Sequence, residues 1–383
     1  MSDQAAIAEG HEHKVKSLEL FFDLVFVLAF TQVTTKLADD LTYEGMLRSL
    51  LVLAVLWWAW AGYAWLTNAF DPESKLMRLP IFIAMAALLI ASLAVPQAFG
   101  EYAGYFAVAY LVVRMIHMSF YLIGSRGDAA QTRAVLRLAP IFILAPTLIL
   151  VSVAFDGWVQ AAFWVLAIIV DYGGAFLFAG EGWNLEPNHF AERYGLIIII
   201  ALGESIVSIG VGAEGVTLDA QTVLAAVLAI TLASAMWWMY FDVVAIVAAK
   251  VLHQLSGLAQ LRMALHTYAM LHFLLIAGII FSALAIKKTV GHPDEHLKEI
   301  PAVALGLGIA LYAGGLAAIR KRDIGKWNWF RLVVAALSLA LIPVFKEITA
   351  LGSISIVTAI LLVLIAVEAT YYRDVRARIR STA

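Results

Sequence analysis

The chain has 383 residues, of which 63% are hydrophobic and only 14% charged, with a mean hydropathy of +0.88. A soluble domain is roughly 45–50% apolar and about 25% charged, so a soluble enzyme is excluded. The net charge of −2 carries nothing as a sum, and the absence of cysteine removes disulfides, thiolate metal sites and cysteine nucleophiles.

Residues 1–16 are polar, with His11, Glu12, His13, Lys14 and Lys16, and lead straight into an apolar run without a small-residue cleavage pattern. They read as a cytoplasmic tail before a signal anchor, not a cleaved leader. A bilayer core of about 30 Å takes about 20 apolar residues per helix. Such runs fall at about 17–38, 46–69, 77–98, 101–124, 133–155, 157–180, 190–212, 220–242, 262–286, 300–319, 330–350 and 353–373, which predicts twelve spans. Their continuous apolar character excludes the alternating pattern of a membrane barrel. With both ends placed in the cytoplasm, that side holds nineteen of the 26 Lys and Arg residues. Six face the other way, namely Lys36, Arg48, Lys287, Lys288, Lys298 and Lys346, and Arg114 lies in mid-span. This bias predicts an N-in, C-in protein of the inner membrane, with 374–383 as a basic cytoplasmic tail.

The pattern repeats. Span one, from Glu19 to Val33, begins with an acid and meets Gln32; span seven, from Glu192 to Ile206, begins with an acid and meets Glu204. Span two carries Trp57, Trp58, Trp60 and Trp65, and span eight carries Trp237, Trp238 and Tyr240. Asp171 and Glu368 lie in spans six and twelve. The fold class expected is therefore all-α integral membrane, about twelve helices in two parallel six-helix repeats at 17–182 and 190–373.

Ionisable groups inside a membrane helix are costly, about 2.5–3.5 kcal/mol on insertion scales, so they face the interior and find partners. Glu19 and Asp23, four apart, share one helix face below Phe26, Val27 and Phe30. Arg114, with His117 one turn away, needs a carboxylate, for which Asp23, Asp171 and Glu204 lie at suitable depth. Glu204 and Ser208 form a polar stripe among Gly203, Gly210 and Gly212, small residues suited to close helix approach. Asp171 precedes Gly173 and Gly174, a pair that marks either a kink or tight helix packing, and Pro140, Pro146 and Pro343 are expected to interrupt helices. Two readings stand: structural ion pairs that fix helix register, or a polar pathway through Glu19, Asp23, Gln32, Arg114, His117, Asp171, Glu204 and Ser208.

Other features have plainer roles. Trp57 and Trp58 suit helix packing, His266 and His272 do not share a helix face, and the stretch from His292 to His296 reads as a solvated loop. No phosphate-binding loop, nucleophile elbow or zinc-protease motif is present, so no enzyme and no cofactor are expected. Nor does an extended basic surface point to nucleic acid; the expected partners are the lipid bilayer and an inorganic cation or small solute.

The segments S-L-E-L-F-F-D-L-V-F-V-L-A-F-T-Q-V (Ser17 to Val33) and E-R-Y-G-L-I-I-I-I-A-L-G-E-S-I-V (Glu192 to Val207) resemble the bacterial low temperature requirement protein A family. The resemblance implies a multi-pass bacterial membrane protein belonging to a family named for growth in the cold. The run from Phe21 to Phe26 is also similar to the first-helix motif of a potassium-channel family built from six-helix repeats. Phe21 and Asp23 carry over, whereas Phe22 stands where that family has serine and Ser17 where it has arginine. This implies a polar path lined by spans one and seven. The leading expectation is a transporter or channel for a cation, a proton or a small solute. Its rivals are a scaffold or sensor that supports cold growth without transport, and an intramembrane enzyme acting on lipid.

Overall fold

The computed structural model describes residues 15–178, 180 and 182–380, so the readings of His11, Glu12, His13 and Lys14 lie outside it. Its helices run in order α1 Ser17–Asp39, α2 Tyr43–Ala69, α3 Lys75–Ala94, α4 Ala103–Gly124, α5 Ala129–Ser152, α6 Gly157–Phe178, α7 Pro187–Gly212 and α8 Ala220–Phe241. There follow α9 Val244–Gln254, α10 Gly257–Met263, a π-helical segment Ala264–Leu271, α11 His272–Gly291, α12 Glu299–Ile324, α13 Trp329–Ala340, α14 Ile342–Glu347, α15 Ala350–Tyr371 and α16 Arg373–Arg380. Helices tend to begin where polar side chains can accept the first free N–H groups. Thr42, Asp128, Glu186, Asp219, Asn328 and Thr349 each do so, and Pro187 follows its cap at the position where a missing N–H costs nothing.

Among the described residues, eleven helices are long and apolar enough to cross a membrane. The expected span at 330–350 is not one of them: it divides into α13, of 12 residues, and α14, of 6. Pro343 has no N–H to give the ladder, and its ring obstructs the turn before it, so one helix stops at Ala340 and another starts at Ile342. Pro140 and Pro146 do not interrupt their helix; α5 runs through both. Gly173 and Gly174 likewise lie inside a continuous α6, and Gly174 lies tightly against Ile141 of α5, so the packing alternative holds there.

The first six helices pack largely in succession, α3 on α4, α4 on α5 and α5 on α6, while α2 is enclosed along most of its length. In the rest of the chain α7 packs on α11, α11 on α12, α12 on α13 and α8 on α15. The two groups meet where α1 crosses α7, with α2 and α11 beside them. At Gly278 a Cβ would lie 2.6 Å from the Gly308 carbonyl oxygen, so only a bare backbone permits the α11–α12 approach. The same close approach occurs at Gly212, against the Lys287 carbonyl, but not at Gly203 or Gly210, which face open space. A π-helical turn bonds i to i+5 and disturbs the regular ladder. In that segment the Ala269 carbonyl accepts a bond of 2.6 Å from Trp57 Nε1, tying α2 to the second group of helices.

Candidate functional site: buried charges between and beside the helices

Glu19 and Asp23 do share a face of α1, and that face meets α7. There His189 and Arg193 stand at the same spacing of four, so two acids on one helix oppose two nitrogen bases on the other. Arg193 Nη2 donates to Asp23 Oδ1 at 2.8 Å, and its Nε lies 3.6 Å from Glu19 Oε1. Trp60 Nε1 donates to the same Asp23 oxygen at 2.9 Å, and the guanidinium lies 5.8 Å from the Trp60 ring centroid. Asn68 Nδ2 donates to His189 Nδ1 at 3.0 Å, which leaves the imidazole proton on Nε2 to donate to Glu19 Oε2 at 2.9 Å. Asn68 also bonds the Glu186 carbonyl and N–H, fixing the start of α7. With a neutral imidazole the cluster holds two carboxylates against one guanidinium. Asp23 Oδ2 and Arg193 Nη1 have no hydrogen-bond partner. A vestibule of about 310 Å³, lined by Lys16, Asn68, Asp71, Glu186 and His189 among others, adjoins the His189 end.

Further along the same seam stands Glu204, only 2% exposed. Thr31 Oγ1 of α1 donates to its Oε2 at 2.5 Å, and Ser208 Oγ to Oε1 at 3.3 Å. Among the described residues, no Lys, Arg or His forms an ion pair with it. At 1.5 Å rise per residue, Arg193 and Glu204 are about 16 Å apart along α7. The stretch between them is closed by Phe26, Phe30, Ile197 and Ala201, all buried. Gln32 is half-buried on α1 and joins neither polar group.

Arg114 chooses Asp171 from its three candidates. Its Nη2 donates to Asp171 Oδ1 at 2.6 Å, and Tyr110 donates its hydroxyl to Oδ2 at 3.3 Å. His117 Nε2 bonds the Gly62 carbonyl at 2.9 Å. Asp171 and His117 thus border one cavity, away from the seam, between α2, α4, α5, α6 and the π segment. A related arrangement lies among α8, α12, α13 and α15. There Arg331 forms a two-pronged pair with Glu368, both bonds 2.8 Å, beside a cavity of about 110 Å³ that Trp238 also lines. Arg376 of α16 pairs with Asp242 at 2.6 Å, so part of the expected basic tail is helical and docked.

His272 Nδ1 donates to the Thr267 carbonyl at 2.8 Å and its Nε2 accepts from the Tyr240 hydroxyl at 2.9 Å, while His266 stacks on Phe176 and lies 3.3 Å from Arg322, so the two histidines serve separate contacts. His292 forms an exposed pair with Glu295. Among the described residues, no group of three or more His, Cys, Asp or Glu side chains is placed to hold a metal ion.

The helices α1 and α7, which meet at the seam, are also the two that carry the sequence resemblance. A family model described as bacterial low temperature requirement A protein (LtrA) matches residues 14–366. The chain belongs to the LtrA family. It is also similar to the uncharacterized protein RA0937 of Rhizobium meliloti (strain 1021), with 27% identity over 387 aligned positions, covering 95% of this chain and 93% of the relative. No solved structure matches it.

In this LtrA chain, sequence reasoning misses Arg193, His189 and Asn68 as site residues. Arg193 counts there with the positive charges at the membrane edge, because it stands near the start of its span. Its position in α7, which begins at Pro187, puts it more than one turn inside the helix. The four-residue spacing from His189, matching that of Glu19 and Asp23, is the signal that could have found the cluster.

Proposed function

We propose that this LtrA protein is a transporter or channel for a proton or a small inorganic cation, with its path along the α1–α7 seam. The observation that carries the reading is Glu204. A carboxylate kept inside a membrane helix bundle without a cation in ion-pair contact is costly when charged. Held by hydroxyls from two helices, it is suited to take up a proton or to trade those hydroxyls for a partly dehydrated cation. At the other end of the seam, His189, Glu19 and Asp23 form a second station beside an open vestibule. A small solute is the broader version of the same reading. Phe26 and Phe30 close the middle of the seam, so passage requires α1 and α7 to shift against each other.

The architecture behind this reading is two parallel six-helix repeats with both termini in the cytoplasm. Three features support it. The packing of α3 on α4 and α4 on α5 has its counterpart in α11 on α12 and α12 on α13. Trp58 and Trp238 take corresponding places beside the two lateral cavities. Each cavity borders a pair of an arginine with an acid, the buried Asp171 on α6 or the half-buried Glu368 on α15. In this architecture α13 and α14, laid end to end over about 27 Å at 1.5 Å per residue, make the eleventh of twelve crossings.

The test is flux in proteoliposomes under potassium, sodium and proton gradients. The natural protein is expected to carry at least one of them selectively. Glu204→Gln, which keeps shape and hydrogen bonding, is expected to abolish that flux while eluting as folded protein. The closed middle of the seam favours one rival, a scaffold or sensor whose buried charges only join helices. Absence of flux under all three gradients with oriented, folded protein would decide for it.

A further inference from the structure

We infer that the cavity between α2, α4, α5, α6 and the π segment is a binding site for a small uncharged amphiphile: a hydroxyl-type head that both donates and accepts, on a short apolar body. The site does not use the seam and does not depend on the transport reading.

The head is defined by α4. Arg114, His117 and Tyr121 are spaced by three and then four residues, which aligns them along one helix face. All three are at most 2% exposed, and all three line the cavity. Each has one polar atom with no hydrogen-bond partner: Arg114 Nε, His117 Nδ1 and the Tyr121 hydroxyl. Buried polar atoms are ordinarily paired, so three left unpaired along one helix face beside one cavity point to a partner supplied from outside the chain. Their chemistry is complementary. Arg114 Nε offers a proton. His117 Nε2 faces the Gly62 carbonyl, to which it must donate, so Nδ1 is an acceptor in the neutral ring. Tyr121 can do either. A hydroxyl group satisfies one donor and one acceptor together.

The body is defined by the walls. Trp58, Trp65, Phe142 and Leu265 make the lining almost wholly apolar. The space open to the centre of a water molecule is about 70 Å³. A cavity that just holds one water leaves almost no room for its centre to move, so this space takes several waters or one small organic molecule. Charge is excluded by the pair beneath. Arg114 is already neutralised by Asp171 at 2.6 Å, and an ionic ligand would bring an unmatched charge into an apolar space.

Three near-isosteric probes separate these claims: trifluoropropanol, trifluoropropanoate and trifluoropropylammonium, followed by fluorine NMR against the full chain in detergent. The alcohol is expected to show saturable line broadening beyond that in empty micelles, with the two ions binding about tenfold or more weakly. Leu265→Trp, which fills the cavity, should abolish the effect. Tyr121→Phe, which keeps the volume and removes one hydroxyl, should weaken binding about fivefold and serves where the larger substitution prevents folding. The inference is overturned by broadening no greater than in micelles, by a folded Tyr121→Phe or Leu265→Trp protein that binds like the natural one, or by an ion that binds as well as the alcohol.

Discussion

Arg193 and Arg114 are both fully buried guanidinium groups in apolar surroundings, yet they are balanced differently. Arg114 meets one carboxylate, Asp171, and both belong to the first six helices. Arg193 meets two, Glu19 and Asp23, and reaches them across the seam between α1 and α7. A one-to-one pair cancels its own charge and fixes how two neighbouring helices register. The two-to-one arrangement joins the two groups of helices and leaves a carboxylate in excess, a better starting point for moving a proton or cation. The balanced pair floors a cavity suited to neutral molecules, whereas the unbalanced one lies on the proposed path.

The largest effect should come from removing the shared cation. Arg193→Met leaves two acids facing each other without a counter-charge, and breaking a buried pair in this way typically costs about 3–5 kcal/mol. The expected result is loss of the monodisperse peak in size-exclusion chromatography; a stable, correctly eluting variant would mean that Arg193 does not join the helices. Arg114→Leu should be destabilising to a similar or slightly smaller degree, about 3 kcal/mol, because Asp171 keeps the Tyr110 hydroxyl. Here the balance makes a sharper forecast. Arg114→Leu combined with Asp171→Leu removes both charges and should recover most of the loss in thermal unfolding, and a double variant no more stable than the single one would contradict a self-cancelling pair. The smallest effect is expected for Trp57→Phe, which deletes the bond to the Ala269 carbonyl but keeps an aromatic ring against Trp60, at about 1 kcal/mol in the same assay.

Helix positions are the most legible part of the molecule, since each span declares itself by local composition. The break in the eleventh is half-legible. Pro343 is visible, but so are Pro80, Pro140 and Pro146, which their helices accommodate. Whether a proline ends a helix depends on what its neighbours offer the freed carbonyls, and those neighbours come from elsewhere in the chain. The glycines teach the same point. Gly203, Gly210 and Gly212 look alike in sequence, yet only Gly212 lies against another backbone.

The acids of the site are legible one by one, because a charge in an apolar run stands out whatever the fold. Glu19 and Asp23 can even be placed on one face, as their spacing settles it. Their partner cannot be read, since Arg193 is 170 residues from Asp23 and resembles the many arginines at membrane edges. Nor can Asp171 be chosen over Asp23 and Glu204 for Arg114, as all three lie at suitable depths.

The sequence by itself determined a multi-pass helical membrane protein of the LtrA family, because span length, apolar composition and two long motifs are properties of contiguous residues. Tertiary structure alone decided the rest: which acid meets which arginine, that Glu204 is held by hydroxyls and not by an ion pair, and that three polar atoms of α4 stay unpaired beside a cavity. Those outcomes depend on how helices distant in the chain rotate and approach one another, and on which buried charge is then close enough to be neutralised.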